Sequence, residues 1–452
     1  MERSISEALE KLKKEFEVFF AGSKTDIESA EKYFSKRLSE TTLDLMRIYY
    51  EEQDLLVWSD KAARKEAGLT VERRGDTRRV LTSMGQIEYR RTYYKKASGG
   101  YEYPIDSLAG VAAYERVSSG ISEALVETSC RMSYSKASKY VTNGLVSRQT
   151  VMNKIREARP IYEETEQKKV RELHIDADED HVHLQDGTST IVPLISVYEG
   201  ISHQGKRGAC QNVFHISEYG KSPSDLWEQV CDELDRRYDL SDAVIYLHGD
   251  GAPWIRQGLE YIPKCRFVLD RYHKNKAIKQ ALSGIDRSSG SQYELHIRKA
   301  LKEGDKEGLT AIRNRLLSRY PDRSKTINEH IGYLLDNYEA ITITNHDPAS
   351  LNGGCTEPHV SHVLSDRLSS RPMGWSKETL RRFVPILAAG CHVSLHTVPN
   401  VDPHPIIRLN LRRFSKKHYL PNTLGLPDPD ISVSFPARSN KVTPLFNALR
   451  PF

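Results

Sequence analysis

The chain reads as an α/β protein, and three observations carry that reading. Between Glu172 and Leu269 the hydrophobic pattern runs strand, strand, strand, helix, strand, helix, strand. A stretch rich in Lys and Arg, residues 274 to 340, then shows helical periodicity only. The run Leu173-His174-Ile175-Asp176-Ala177-Asp178-Glu179-Asp180-His181-Val182-His183-Leu184 places four carboxylates inside a segment patterned as a strand. With a side-chain period of two, Asp176, Asp178 and Asp180 share one face, and Ile175 and Ala177 the other. Carboxylates so spaced repel one another unless a cation joins them or some are protonated, which points to a hard divalent ion such as Mg²⁺.

In chain order, residues 1 to about 70 carry apolar positions such as Ile5, Leu9, Leu12, Phe16 and Phe19 at helical intervals. From Val71 to Tyr103 short β segments follow, Arg79–Ser83 and Gln86–Tyr94, joined around Gly85. Their basic residues, Arg90 and Arg91 among them, alternate with tyrosines, a composition suited to nucleic-acid phosphates, although a solvated hairpin accounts for it equally. Ser119–Arg131, Ser133–Thr142 and Ser147–Ala158 read as three short helices with a turn at Asn143-Gly144. This outlines a helix-turn-helix-like segment whose last helix would expose Arg148, Gln149, Asn153 and Lys154.

The α/β core begins near Glu172. Its first strand turns at Asp186-Gly187, a hairpin signal, into a return strand, Thr190–Tyr198, and a third is expected from Gly208 to Glu218. A helix capped by Ser222, with Pro223 at its first position, runs to about Tyr238. The apolar run Ala243–Gly249 ends at Asp250, the strand end where open α/β sheets place ligands. A helix at Trp254–Tyr261 and a strand Cys265–Leu269 complete the set. Past the helical insertion, Glu357 opens a helix after Gly353-Gly354. Asp178, Asp250 and Glu357 therefore make an Asp–Asp–Glu set. Trp375 reads either as a packing anchor or as a stacking platform for a base, and Arg371 is a candidate DNA contact. A Pro-rich tail from 399, with Arg408, Arg412, Arg413, Lys416 and Lys417, is expected to be extended.

Composition narrows the partners. Basic and acidic residues nearly balance, 66 against 61, so local rather than net charge selects them. The six cysteines form no C-x-x-C pair, against a disulfide framework or zinc ribbon and for a reducing compartment. No signal peptide is visible at the N-terminus, and the best apolar stretch, Phe383–Leu395, is too short to span a bilayer. The expectation is a cytoplasmic protein without membrane contact. The expected organisation is a helical region, 1–70; a basic β segment, 71–116; a helix-turn-helix-like DNA-binding region, 117–170; an α/β catalytic domain, 171–398, with its insertion at about 274–350; and the tail, 399–452.

The strings His174–Val182, His248-Gly249-Asp250-Gly251-Ala252-Pro253-Trp254-Ile255, Val268-Leu269-Asp270-Arg271-Tyr272-His273 and Gly354–Leu364 resemble the ISLre-type insertion-sequence transposases, which are similar in turn to Mutator-type DDE transposases. The likeness covers most of the chain. It implies an RNase H-like catalytic domain interrupted by a helical insertion, and cut-and-join chemistry on the element's own DNA ends. In the related pattern the first aspartate stands four residues before a valine, which selects Asp178 ahead of Val182 over Asp176 and Asp180; Asp250 and Glu357 match the second and third acids. The related Cys-x-x-His is replaced by Asp270-x-x-His273.

The resulting expectation is two Mg²⁺ ions, with Mn²⁺ as substitute, held roughly 3.5–4 Å apart by Asp178, Asp250 and Glu357 for strand cleavage and transfer. Asp176, Asp180, His181, His273 and His359 are supporting candidates. Element ends and target DNA are the expected partners, with a homodimer or larger assembly for synapsis. Two alternatives stand beside this: a metal-dependent glycosyltransferase with an Asp-x-Asp site, and a transposase-derived DNA-binding regulator without catalysis.

Overall fold

The computed structural model describes residues 2–22, 26–162, 165–205 and 207–395; the Pro-rich tail lies outside the described residues. The fold is mixed α/β. The chain divides into two compact units, whose described residues fall in 2–48, 77–89 and 110–395 for the first, and 49–76 and 90–109 for the second.

The N-terminal region is helical as its periodicity requires, with Glu2–Ala21, Ile27–Ser59 and Lys61–Glu66. Leu69–Thr82 and Gly85–Lys96 follow as long strands in a three-stranded sheet completed by Tyr101–Glu102. In the second unit Asp54 accepts hydrogen bonds from the Thr92 amide (2.8 Å) and hydroxyl (2.6 Å), tying helix to strand. Helices Ser119–Ser129, Tyr134–Thr142 and Arg148–Glu157 begin at serine caps, Ser118, Ser133 and Ser147, each accepting an amide of the first turn. Asn143 closes the second helix in the left-handed region, φ 51°, where an asparagine is tolerated.

The central sheet has five strands: β1 (Glu172–His183), β2 (Ser189–Tyr198), β3 (Phe214–Ile216), β4 (Val244–Gly249) and β5 (Cys265–Leu269). Their order is β3-β2-β1-β4-β5. β1 runs antiparallel to β2, and β2 to β3, whereas β4 runs parallel to β1 and β5. The third strand is shorter than expected. Ile201–Gln204 and Arg207–Cys210 form a separate hairpin, and Asn212, at φ 51°, turns the chain before β3 joins the sheet. The single helix expected at 254–261 is two short ones, Pro253–Arg256 and Gly258–Tyr261. At the break, the missing side chain of Gly258 leaves room for the buried Trp227 indole, which a Cβ would approach to 2.6 Å.

Both sheet faces are covered, and the parity of β1 decides what each face meets. Leu173, Ile175 and Ala177 pack with α1 (Pro223–Arg237) and the insertion helices α2 (Arg271–Ala281), α3 (Arg287–Glu303), α4 (Lys306–Arg319) and α5 (Ser324–Asp336). Val182 and Leu184, of the same parity as the aspartates, pack with Val192, Leu194, the three serine-capped helices and α7 (Lys377–Ala388). Between the insertion and α7, α6 (Thr356–Val360) carries Glu357 and passes into a widened π-helical turn, Ser361–Ser365.

Candidate functional site

Parallel pairing brings the first two acids together. His248 on β4 stands opposite Asp176 on β1, so two residues further along each chain Asp250 comes level with Asp178. Gly249 permits this approach, because a Cβ there would lie 2.9 Å from the Ala177 carbonyl oxygen. Asp250 then folds into a tight turn in which its own carboxylate accepts the Ala252 amide at 2.8 Å. The insertion fastens the turn: the Tyr333 hydroxyl of α5 donates to the Asp250 carbonyl at 2.6 Å, and Gly251 sits at φ +88° against Asn337.

Glu357 is delivered by a different device. Asp176, buried to 2 % exposure, accepts the Tyr198 hydroxyl at 3.0 Å and the amides of Gly354 and Cys355 at 3.3 and 2.7 Å. Beneath it a buried chain runs from Glu172 through His174 (2.7 Å) to His248 (3.0 Å), and Asn352 donates to Glu172 at 2.9 Å. Gly353 crosses this chain where a Cβ would fall 2.4 Å from both imidazoles. Residues 352–355 are thus stitched to β1 and β4, and Glu357 opens α6 two residues later. Burial pushes His248 down to about 4, so it serves as a neutral link.

The electrostatics single out Asp178. Burial, reinforced by the carboxylates of Asp250 and Glu357, pushes its pKa up to about 6, against the Glu179 amide hydrogen bond and the charge of His273. Burial disfavours a charged His273, but Asp270, Asp178 and Asp250 outweigh it and raise the imidazole above its ordinary range. Its Nδ1 lies 3.4 Å from the Asp270 carboxylate, which caps α2 through the Tyr272 and His273 amides. The three acids share one field without forming a closed cage: among the described residues no three Asp, Glu, His or Cys side chains converge as ligands for an ion.

The supporting candidates divide. Asp176 and His359 belong to the latch that delivers Glu357, His359 lying 3.4 Å from the Asp176 carboxylate and 3.6 Å from Cys210 Sγ. Asp180 accepts the Ser369 hydroxyl at 2.8 Å while its Oδ2 is buried without a hydrogen-bond partner among the described residues. His181 is exposed, and its place in the strand alternation puts it off the face that carries the aspartates. Sequence reasoning missed Tyr333, Tyr198 and the Glu172–His174–His248 chain. Only the two histidines gave a signal, as polar residues inside strands otherwise apolar.

Among the candidate DNA contacts, Arg90, Arg148, Gln149 and Arg371 are exposed. Arg91 is not: it is buried in an ion pair with Asp106 and lies over the Tyr103 ring. Lys154, expected at the surface, is buried at 4 % exposure and held by Glu115 (2.5 Å) and Glu157 (2.9 Å). The reason is helical phase, since Lys154 falls on the buried stripe of Val151, Ile155 and Ala158. Trp375 is a packing anchor rather than an exposed platform, its indole N–H donating to the Leu368 carbonyl at 2.9 Å between Tyr134 and Phe383. The tail's basic residues lie outside the described residues. Phe383–Leu395 contributes α7 and core residues, and among the described residues no helix is long and apolar enough to cross a membrane.

Comparison with known proteins gives a consistent family. The uncharacterised protein family UPF0236 matches residues 25–398. A UPF0236 protein of Caldanaerobacter subterraneus subsp. tengcongensis, whose name carries eleven locus designations, is 40% identical over 339 residues, 73% of this chain and 70% of its own length. Another from the same organism, with four designations, is 39% identical over the same share of this chain and 70% of its own. A UPF0236 protein in the vanSb 3′ region of Streptococcus gallolyticus is 24% identical over 85% of this chain and 90% of its length. Matched across most of its residues by that family, the chain belongs to UPF0236.

Proposed function

We propose that this protein is a DDE-type DNA transposase of the ISLre kind, with an RNase H-like catalytic domain and a helix-turn-helix-like segment that binds element ends. The observation that carries the reading is the convergence on one electrostatic neighbourhood of Asp178 from β1, Asp250 from the end of β4 and Glu357 from α6 beyond the helical insertion. The β3-β2-β1-β4-β5 order, with β1 to β3 antiparallel and β4 and β5 parallel to β1, supports an RNase H-like sheet. A relative named for eleven loci of one genome supports a mobile gene.

The donor set suits a hard divalent ion, being all carboxylate oxygen and partly exposed, with the Asp178 carboxyl raised by burial and by its two acidic neighbours. Asp178, Asp250 and Glu357 would hold Mg²⁺ or Mn²⁺, which when bound supplies Lewis acidity and positive charge against a phosphoryl-transfer transition state. The protein's part is positioning. Tyr333 and Gly251 set the Asp250 turn, Asp176 sets the Glu357 loop, and His273, its pKa raised by Asp270, Asp178 and Asp250, stands beside Asp178. Asp176, with its oxygens engaged by Tyr198 and two amides, acts in this reading as the holder of the Glu357 loop rather than as a metal ligand.

The test is cleavage of labelled duplex DNA carrying the sequences that flank the gene, with Mg²⁺ or EDTA, for wild type and Asp250→Asn. Metal-dependent cutting at the element ends, absent from the variant, is the expected result. Strand transfer that survives Asp250→Asn would remove the assignment, and binding without cutting in both proteins would favour the regulator.

A further inference from the structure

The insertion contains a cavity that the catalytic reading does not use. Helices α2 and α3 and the segment 341–345 enclose about 210 Å³, with Ile278, Leu301 and Ile341 as apolar wall and Lys274, Arg298 and Lys302 as its cations. Arg298 is held in place by two bonds to Glu294, at 2.9 and 2.8 Å, and one to Asn275 at 2.9 Å. Neither Lys274 nor Lys302 has an ion-pair or hydrogen-bond partner among the described residues. Lys274 is also the more sheltered of the two, flanked by Asp270 and Arg271, whose charges oppose each other there. Lys274, Arg298 and Lys302, with Arg271 nearby, outnumber the carboxylates of Glu294 and Asp270 and leave a local excess of positive charge in a concave site.

We propose that this cavity binds the phosphate of a nucleotide. Two ammonium groups beside a fixed guanidinium match a group that presents several anionic oxygens. Ile278, Leu301 and Ile341 provide apolar contact for the attached nucleoside, and Thr344 and Asn345 complete a mixed polar and apolar lining. The phosphate has two possible sources, the backbone of bound DNA or a free nucleotide, and the site's chemistry is the same for both. The free-nucleotide arm of the test below stands without the transposase reading.

The experiment uses the full chain and titration calorimetry with two probes, deoxythymidine monophosphate and a short random-sequence duplex, the latter at several salt concentrations. Lys274→Gln/Lys302→Gln is compared with Lys279→Gln/Lys299→Gln, which removes the same charge from exposed positions on the same two helices. The expected result is a loss of about tenfold or more in affinity in the first variant only, the order for losing charged hydrogen bonds. For duplex DNA the slope of log affinity on log salt should also fall by about two in that variant. A loss confined to the monophosphate assigns the pocket to a free nucleotide, and a loss with the duplex assigns it to DNA. Equal behaviour of the two variants with both probes overturns the proposal. Lys302→Gln alone, at an exposed position, keeps the comparison valid if Lys274→Gln impairs folding.

Discussion

Two charged strand regions of this molecule, one basic and one acidic, are treated oppositely by the fold. In the basic strands, Arg73 is paired with Asp76, Arg79 with Glu88, Arg91 with Asp106 and Lys96 with Glu102. On β1 and the segments beside it, Asp178 faces Asp250 and Glu357, with His273 as the opposing charge. Charge that the fold neutralises within itself is scaffold. Charge left in mutual repulsion raises the free energy of the native state, and it persists where something outside the chain relieves it.

The largest effect that tests this contrast is on catalysis. Asp178→Asn, Asp250→Asn and Glu357→Gln should each lower DNA strand cleavage by at least about 10³-fold, roughly 4 kcal/mol of barrier, with duplex affinity retained. Equal activity in any of the three would detach that acid from the site. Next is Arg91→Ala, which removes one side of the buried ion pair with Asp106 and should destabilise the protein by about 3 kcal/mol, read from denaturant unfolding. A loss of DNA affinity without loss of stability would return Arg91 to the list of DNA contacts.

Asp178→Asn should stabilise the metal-free protein, and the sign follows from linkage. The native pKa, about 6, lies above the ordinary carboxylate value of 3.8, so the folded state holds its proton more tightly. The carboxyl therefore costs nothing below the unfolded pKa, grows destabilising as pH rises from about 4 to 6, and exerts its full penalty near pH 7. The variant's advantage should be on the order of 2 kcal/mol near pH 7 and vanish toward pH 4. Thermal unfolding across that range checks it, and a constant difference would mean that the fold does not raise the Asp178 carboxyl. The smallest effect belongs to Arg79→Gln, whose exposed, solvent-screened pair with Glu88 should leave the unfolding midpoint essentially unchanged.

Particular elements show where sequence reasoning reached and where it stopped. Cys265–Leu269 and the three serine-capped helices were legible because hydrophobic period and cap chemistry are local properties. The third strand was not, because its pairing with β2 depends on Asn212 turning the chain after a hairpin that sequence joins to it without a break. Lys154 and Arg91 were misplaced for a related reason, since a basic side chain looks solvated until its distant carboxylate, Glu115 or Asp106, is known.

The amino-acid sequence by itself determined most of the strand and helix order of the core and the helical insertion before Glu357, and it marked the aspartates of β1, Asp250 and Glu357 as candidates. These follow from periodicity, turn chemistry and the improbability of carboxylates in a strand. Only the tertiary structure decided that Asp176 is a latch for the Gly354 and Cys355 amides while Asp178 feels Asp250 and Glu357. The three aspartates of β1 are equivalent in spacing, and what separates them is the register of β4 and the path of residues 352–355, contacts made across long stretches of chain.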